Sequence, residues 1–481
     1  MNAQNAQPPH AVSVVLNSIS HDARVLKEAH ALAGAGYRVT IVGIMDNNCS
    51  EALTVYPSGT RAERVECRDK VAQSIAHYRK LRKRTRRPVI IGGCVVLFLI
   101  LPELIGLVTR FVNASTLNER IALMVLGVIV GFGIDGWLRR RKPAAKGGAG
   151  KGGQVSLLER MSRATRNSMR RRVYCNALTA KVLELKPDVL HMHDVTTLPI
   201  GLLYRKQGGK AKLIFDSHEL FEDIPHASKL HRRRARRLQE RIAPMLSGFI
   251  TINESIADKL VGRYPKMPKP VLIMNAARCP DAPAVDDGRL RAAAGVDAGQ
   301  KILLYQGGFA VHRGLDKLVE SARLLPEDWT LVMMGWGRYE EGLKRKADQI
   351  DPDRERVRFI GRAPQEELVH WTAGADLGVI PYVNIGLNHW FCTPNKLWEY
   401  PAAGVPILAS PFPELRRIVE GQQVGVLLDD PVTPDGIARA VGSISDQQLA
   451  QLKENCRAFI ERDHWGVYAD RLLGLYEQVV K

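Results

Sequence analysis

FCTPNKLWEYPAAGVPILAS, residues 391–410, is the stretch that decides the fold. It reads as a loop, a short helix and a buried strand. Thr393 can cap the helix with its hydroxyl, and Pro394 suits the first helical position, where a missing N–H costs nothing. Gly404 can take the left-handed turn that ends the helix. Val405-Pro406 then leads into the apolar strand ILAS. A helix start of this kind presents free N–H groups and a positive dipole end, which suits a phosphate. Lys396 adds a charge one turn in, and Glu399 offers a carboxylate that can accept two sugar hydroxyls. An ordinary capped helix with a solvated glutamate fits the same residues.

The same strand–turn–helix rhythm runs outward from this stretch. Upstream come ILLYQGG (302–308), a helix over 316–325, WTLVMMGWG (329–337), VRFIG (357–361), a helix over 365–374 and DLGVIPY (376–382). The pattern predicts a doubly wound α/β domain. Residues 280–299, rich in Pro, Ala and Asp, read as a linker before it. An earlier series has the same character: AVSVVL (11–16), a helix ending at Gly34-Ala-Gly36, YRVTIVG (37–43), DVLHMHD (188–194), KLIFDSHE (212–219), GFITIN (248–253) and VLIMN (271–275). The reading is therefore an N-terminal domain over 1–280, a C-terminal domain over 281–462, and a terminal helix over 463–481 that packs back on the first domain.

Two apolar runs, 88–108 and 121–138, interrupt the first domain. Each is about long enough to cross a bilayer, which takes roughly 20 residues. Basic segments stand outside both runs, so the positive-inside rule puts both outer ends in the cytoplasm. A membrane hairpin is expected, with a shallow re-entrant hairpin or a buried helix pair as alternatives. Residues 143–154, PAAKGGAGKGGQ, read as a flexible tether.

The 481 residues carry a net charge of +19, concentrated in 77–87, 139–142, 168–172 and 231–237. Such an excess favours acidic partners: anionic lipid, phosphorylated substrates or nucleic acid. The basic runs flank apolar segments and no nucleic-acid motif is present, which argues against the last. The seven cysteines are scattered and form no CxxC pair, so neither a disulfide framework nor a zinc site is expected.

In open α/β sheets ligands sit at the carboxyl ends of strands. His193, Asp194, His218 and Glu219 fall there in the first series, and the glycine turns YQGGF, GWGR and GRAP, followed by TPNKLWE, fall there in the second. Gly307, Gly308 and Gly335 permit close backbone approach, while Arg313, Arg362, Thr393, Asn395, Lys396 and Glu399 complete a surface for a nucleoside diphosphate. The two His and two acids of the first series lie on separate strands without metal-ligand spacing, so no metal is expected.

These pieces resemble the family-4 glycosyltransferases. The resemblance rests on Asp22-Ala-Arg24-Val25, on Asp216 to Glu219, on LLYQGGFAVHRGL and on PNKLWEYPAAGVPILAS. It implies the GT-B fold, with two facing Rossmann-like domains, here carrying an inserted apolar helical hairpin. It also implies sugar transfer from a nucleotide donor, with retention and without an essential metal or other cofactor. Glu399 matches the family glutamate on the ribose, and His218 the histidine facing the donor sugar, where a neutral imidazole is one option. Arg313 and Lys396 would support the leaving diphosphate, and Asp22, Arg24, His193 and Glu219 would face the acceptor. Two departures stand out. Phe391 occupies the place of the sugar-contacting glutamate, and Gly308 that of a phosphate-binding arginine. The combined expectation is a glycosyltransferase at the cytoplasmic face of the inner membrane, acting on a lipid-linked or glycan acceptor. A nucleotide-sugar 2-epimerase and a catalytically weak membrane scaffold are the alternatives.

Overall fold

The computed structural model describes residues 7–80, apart from 21, 48 and 79, and residues 157–481, apart from 226. The expected hairpin and tether lie outside the described residues. Among the described residues, no helix is long and apolar enough to cross a membrane.

The first sheet has eight strands: β1 His10–Val14, β2 Arg38–Ile44, β3 Leu53–Val55, β4 Arg61–Val65, β5 Val189–His193, β6 Lys212–Ser217, β7 Gly248–Thr251 and β8 Val271–Leu272. Their order is β3-β4-β2-β1-β5-β6-β7-β8. All neighbouring pairs are parallel except β3 with β4. The burial pattern explains the parallel build, since β1 and β5 are buried at every position, as strands covered on both faces must be. Strands β3 and β4 escape a periodicity reading because LTV, at the sheet edge, is only three residues long and RAERV, beside it, is largely polar.

The second sheet has six strands: β9 Lys301–Gly308, β10 Trp329–Trp336, β11 Val357–Ile360, β12 Leu377–Ile380, β13 Ile407–Ala409 and β14 Gly425–Leu427. They run in the order β11-β10-β9-β12-β13-β14, all parallel. The order reverses at β9, so the turns after β9 and β12 border a switch point where ligands bind. Residues 280–299 are not wholly a linker. Arg289–Ala294 is helical, bounded by Gly288 and Gly295 in left-handed conformations.

Both sheets belong to one compact unit, Met1–Glu66 with Tyr174–Lys481; Cys67–Val173 forms a second unit. Within the first unit, the C-terminal helix Trp465–Val480 lies against the first sheet. Leu475 and Val479 abut Gly248 on β7, and the Tyr476 hydroxyl bonds Nδ1 of His191 at 3.0 Å. Trp398 sits between the layers and donates its indole N–H to Asp463 at 2.9 Å. One apolar cluster runs from β1 and β2 through Leu397, Trp398 and Tyr400 to Tyr468 and Tyr476, tying the two sheets together.

Candidate active site

The wall formed by the second sheet begins at Gly307 and Gly308, the last residues of β9. Gly307 has φ +116, and a Cβ there would stand 3.0 Å from Nζ of Lys396. Gly335, at the end of neighbouring β10, has no room either, since a Cβ would meet the Gly307 carbonyl at 2.0 Å. Bare backbone is thus required where the two strand ends meet. Gly308 is different: its nearest neighbours to an added Cβ are 3.9 and 4.0 Å away, the latter Nη1 of Arg313. Its side of the turn is open, and Arg313 covers it.

Arg313 and Lys396 converge above these glycines. The Arg313 guanidinium lies 5.6 Å from the Tyr382 ring. Lys396, 6% exposed, lies 5.2 Å from the Tyr305 ring and 3.4 Å from the Tyr382 hydroxyl. Burial lowers its pKa. Among the described residues, neither cation reaches a carboxylate within ion-pair distance. Two cations in an aromatic box with no anion between them are costly to hold, and an anionic group placed between them would relieve the cost. Glu399, one turn beyond Lys396, accepts from Gln306 Nε2 at 3.0 Å, which orients the carboxylate. Arg362 stacks on exposed Trp336 at 5.0 Å, at the outer ends of β11 and β10.

The opening of the 391–410 stretch departs from the capped-helix reading. The helix is Lys396–Ala402, its first flanking residue is Asn395, and no side chain caps it. Thr393 is not the cap: its Oγ1 meets Nδ2 of Asn253 at 2.5 Å. Pro394 therefore precedes the helix rather than starting it. Gly404 does take the left-handed conformation, with φ +70. Phe391 packs against the apolar core of the first sheet, and its carbonyl accepts from Asn253 at 2.7 Å. Asn388 reaches across to the Leu220 N–H at 2.7 Å, and Asn395 bonds Asn275 at 3.1 Å. The position that carries a sugar-contacting glutamate in the family pattern is thus a packing contact between the two walls.

The first wall is built around Asp216, the fifth residue of β6. Arg24 grips it through Nε and Nη2, both at 2.9 Å, and His218 Nε2 reaches it at 2.9 Å. Arg24 also contacts Glu28 at 3.1 Å, and His193 Nδ1 lies 3.3 Å from Asp216. Burial works against ionisation of Asp216, yet Arg24 and His218 hold its pKa well below the usual range. Burial likewise opposes charge on His218, but Asp216 and Asp194 outweigh it and raise its pKa to about 9. His218 is therefore an imidazolium at neutral pH, where a neutral ring was one sequence expectation. Arg24 and His193 are 6% and 3% exposed. They sit beneath the surface, against Asp216, where the sequence reading has them facing an acceptor. Asp22 is half-buried and caps the helix Ala23–Gly34. Glu219 is exposed at the rim.

Among the described residues, Glu28, His191, His193 and Asp216 bring possible ligand atoms within 4.8 Å of one another. The Glu28 carboxylate, Nε2 of His191 and both His193 ring nitrogens are buried without a directional hydrogen bond. Arg24 already stands on both carboxylates, so this chain supplies its own cation where a metal would sit. A metal fits that arrangement poorly.

Residues 300–447 match the family model described as glycosyl transferases group 1, and residues 136–276 match the glycosyl transferase 4-like domain. The D-inositol 3-phosphate glycosyltransferase of Xylanimonas cellulosilytica is 26% identical over 197 residues, 40% of this chain and 46% of that protein. The amylovoran biosynthesis glycosyltransferase AmsK of Erwinia amylovora is 26% identical over 135 residues, 27% of this chain and 32% of that protein. The alignments thus span less than half the length of these relatives. Among solved structures, sucrose-phosphate synthase from Thermosynechococcus elongatus superposes with a TM-score of 0.62 at 15% identity, covering 98% of both chains. Anabaena HepE in complex with UDP-glucose gives 0.61 at 13%, covering 98% of this chain and 99% of that one. The fold is GT-B-like, and two segments of the chain are glycosyltransferase-type domains.

Proposed function

We propose that this protein transfers a sugar from a nucleotide-sugar donor to a lipid-linked or glycan acceptor, with retention of configuration, at the cytoplasmic face of a membrane. The observation that carries the reading is the Arg313–Lys396 pair, the lysine buried and the arginine half-buried against bare glycine backbone, with no carboxylate in ion-pair reach among the described residues. A donor diphosphate matches that site in charge and in reach. Glu399, oriented by Gln306, then accepts hydrogen bonds from the ribose hydroxyls. The two matched domains and the UDP-glucose complex of HepE support the donor class.

In the transfer step the anomeric carbon–phosphate oxygen bond breaks and its electron pair leaves with the diphosphate. Arg313 and Lys396 stabilise that developing charge. The acceptor oxygen bonds the same face of the anomeric carbon, and its proton passes to the departing phosphate. No carboxylate nucleophile is needed in this sequence, and no metal, since the side-chain cations serve the leaving group.

The membrane part of the reading draws on the apolar runs in the sequence and on the helix Lys229–Ile242. That helix buries Ala235, Gln239 and Ile242 and leaves Arg232, Arg233, Arg234, Arg236 and Arg237 exposed. Such a face suits anionic lipid headgroups. The test is radiolabelled transfer from a panel of nucleotide sugars into a membrane extract. Wild type should label a lipid fraction, and folded Glu399→Ala and Arg313→Ala proteins should not. Undiminished labelling by both variants would overturn the site.

A further inference from the structure

The segment of the second wall over 377–398 offers the donor sugar no acid. Between Asp376 and Glu399 there is no Asp or Glu, Phe391 is turned into the core of the first sheet, and Glu399 is engaged with Gln306. A hexosyl group presents several hydroxyl donors, and selective sites answer them with fixed acceptors. The carboxylate has to come from the opposite wall.

We propose that Asp194 is that carboxylate: it reads a pair of neighbouring hydroxyls on the donor sugar and replaces the acid lost at position 391. The inference rests on the nucleotide-sugar reading above.

Three observations single it out. The first is place. Asp194 directly follows β5, and its Oδ1 accepts from the His218 N–H at 3.3 Å. His218 lies two residues before Leu220, whose N–H meets Asn388 of the second wall. The Asp194–His218 pair is therefore close to where the two walls meet, across from the turn that leads to Lys396. The second is capacity. Asp216 has no exposed side-chain surface, and its Oδ2 faces Arg24, His218 and His193 at 2.9, 2.9 and 3.3 Å, so it has nothing left for a ligand. The Asp194 side chain is 35% exposed, and its Oδ2 lies 3.5 Å from His218 Nδ1, at the long end of an ion-pair contact. An ionised carboxylate has about four lone-pair positions, and the partial exposure of Asp194 leaves it able to accept from a ligand.

The third is backbone conformation. Asp194 has φ +63, a conformation that costs a non-glycine residue free energy and clusters at functional sites. It is locked there. Its N–H donates to the Asp216 carbonyl at 2.8 Å, and its carbonyl accepts from the Thr197 hydroxyl at 2.9 Å. On adjacent β1, the chain beyond the strand carries a second such residue, Ile19 with φ +72. Glu219 is the competing acid on this wall, but it is exposed and its carboxylate lacks comparable anchoring.

The experiment uses the full-length protein and a panel of UDP, GDP and ADP with their glucosyl, mannosyl and N-acetylglucosaminyl forms. The Kd of the free nucleotide is measured by calorimetry, and kcat and KM by slow hydrolysis of the nucleotide sugar, in wild type, Asp194→Asn and Glu219→Gln. Asparagine tolerates the left-handed backbone and keeps one oxygen acceptor, so the fold should survive. The expected result is a nucleotide Kd within twofold of wild type for Asp194→Asn, with KM for the nucleotide sugar raised at least tenfold and by more than any rise in Glu219→Gln. Unchanged sugar-dependent kinetics in Asp194→Asn, or a loss confined to Glu219→Gln, overturns the assignment while nucleotide binding stands. Failure of wild type to bind any nucleotide overturns the donor reading itself, and this proposal with it.

Discussion

Lys396 is a single residue held at a cost to stability that a bound anion would relieve. It is buried without a carboxylate in ion-pair reach among the described residues, so removing its charge removes an unfavourable burial. Lys396→Met should therefore melt no lower than wild type while binding nucleoside diphosphate about ten- to a hundred-fold more weakly, the equivalent of about 1.5–3 kcal/mol for a charge-assisted bond. Differential scanning fluorimetry with calorimetry separates the two effects; a large fall in melting temperature would mark Lys396 as structural. His218 is the opposite case, a charge stabilised by its neighbours. Its folded pKa of about 9 lies above the ordinary 6.5, so its stabilisation is complete below pH 6.5 and is lost as pH rises through 9. The melting-temperature difference between wild type and His218→Gln should be largest near pH 6 and vanish near pH 10. A pH-independent difference would contradict the imidazolium. At this scale the sequence identified charged residues well and their surroundings poorly. Arg313, Lys396 and Glu399 stand together at the second wall. Arg24 looked like a surface residue, because its partners Asp216 and Glu28 are fixed by sheet order rather than by spacing along the chain.

The segment over 387–395, a short helix Leu387–Trp390 and the loop after it, is where local reading failed most clearly. Thr393-Pro394 has the signature of a helix start, but Asn253 competes for the threonine hydroxyl from the other wall, and tertiary contacts set the boundary at Lys396. The same contacts account for Phe391. Asn253 fixes its carbonyl and the first-sheet core takes its ring, so an acid at this position would be buried against apolar groups. Restoring the family residue as Phe391→Glu should destabilise the protein by about 2–4 kcal/mol, without improving nucleotide-sugar turnover. A variant with native stability and lower KM would show that the position still faces the sugar. Elements with strong periodicity were legible: eleven of the strands and the terminal helix Trp465–Val480 follow from apolar runs and glycine turns. Strands β3, β4, β13 and β14 are three to five residues long. Of these only β13 announced itself, because a glycine turn and a proline precede it.

For the whole molecule, the two doubly wound sheets could be read from the sequence because every strand end but a few carries its own turn chemistry. The pairing of the sheets could not, since it depends on residues such as Trp398, Asn388 and Tyr476 that meet partners far away in the chain. The apolar runs and the arginine face of Lys229–Ile242 make a prediction at this scale. Full-length protein should float with vesicles containing anionic lipid. Replacing Arg233, Arg234 and Arg237 by glutamine should weaken that association in low salt, with catalysis on soluble donor unchanged. Equal association with neutral and anionic vesicles would remove the electrostatic part of the account.

The central claim is that Arg313 and Lys396 hold the diphosphate of a nucleotide-sugar donor. Calorimetric titration of UDP, GDP and ADP into wild type, Lys396→Met and Arg313→Ala tests it most directly. The account predicts saturable one-site binding of at least one nucleotide by wild type and a loss of at least tenfold in each folded variant. Binding that is indifferent to both substitutions, or absent from wild type for every nucleotide, would contradict it.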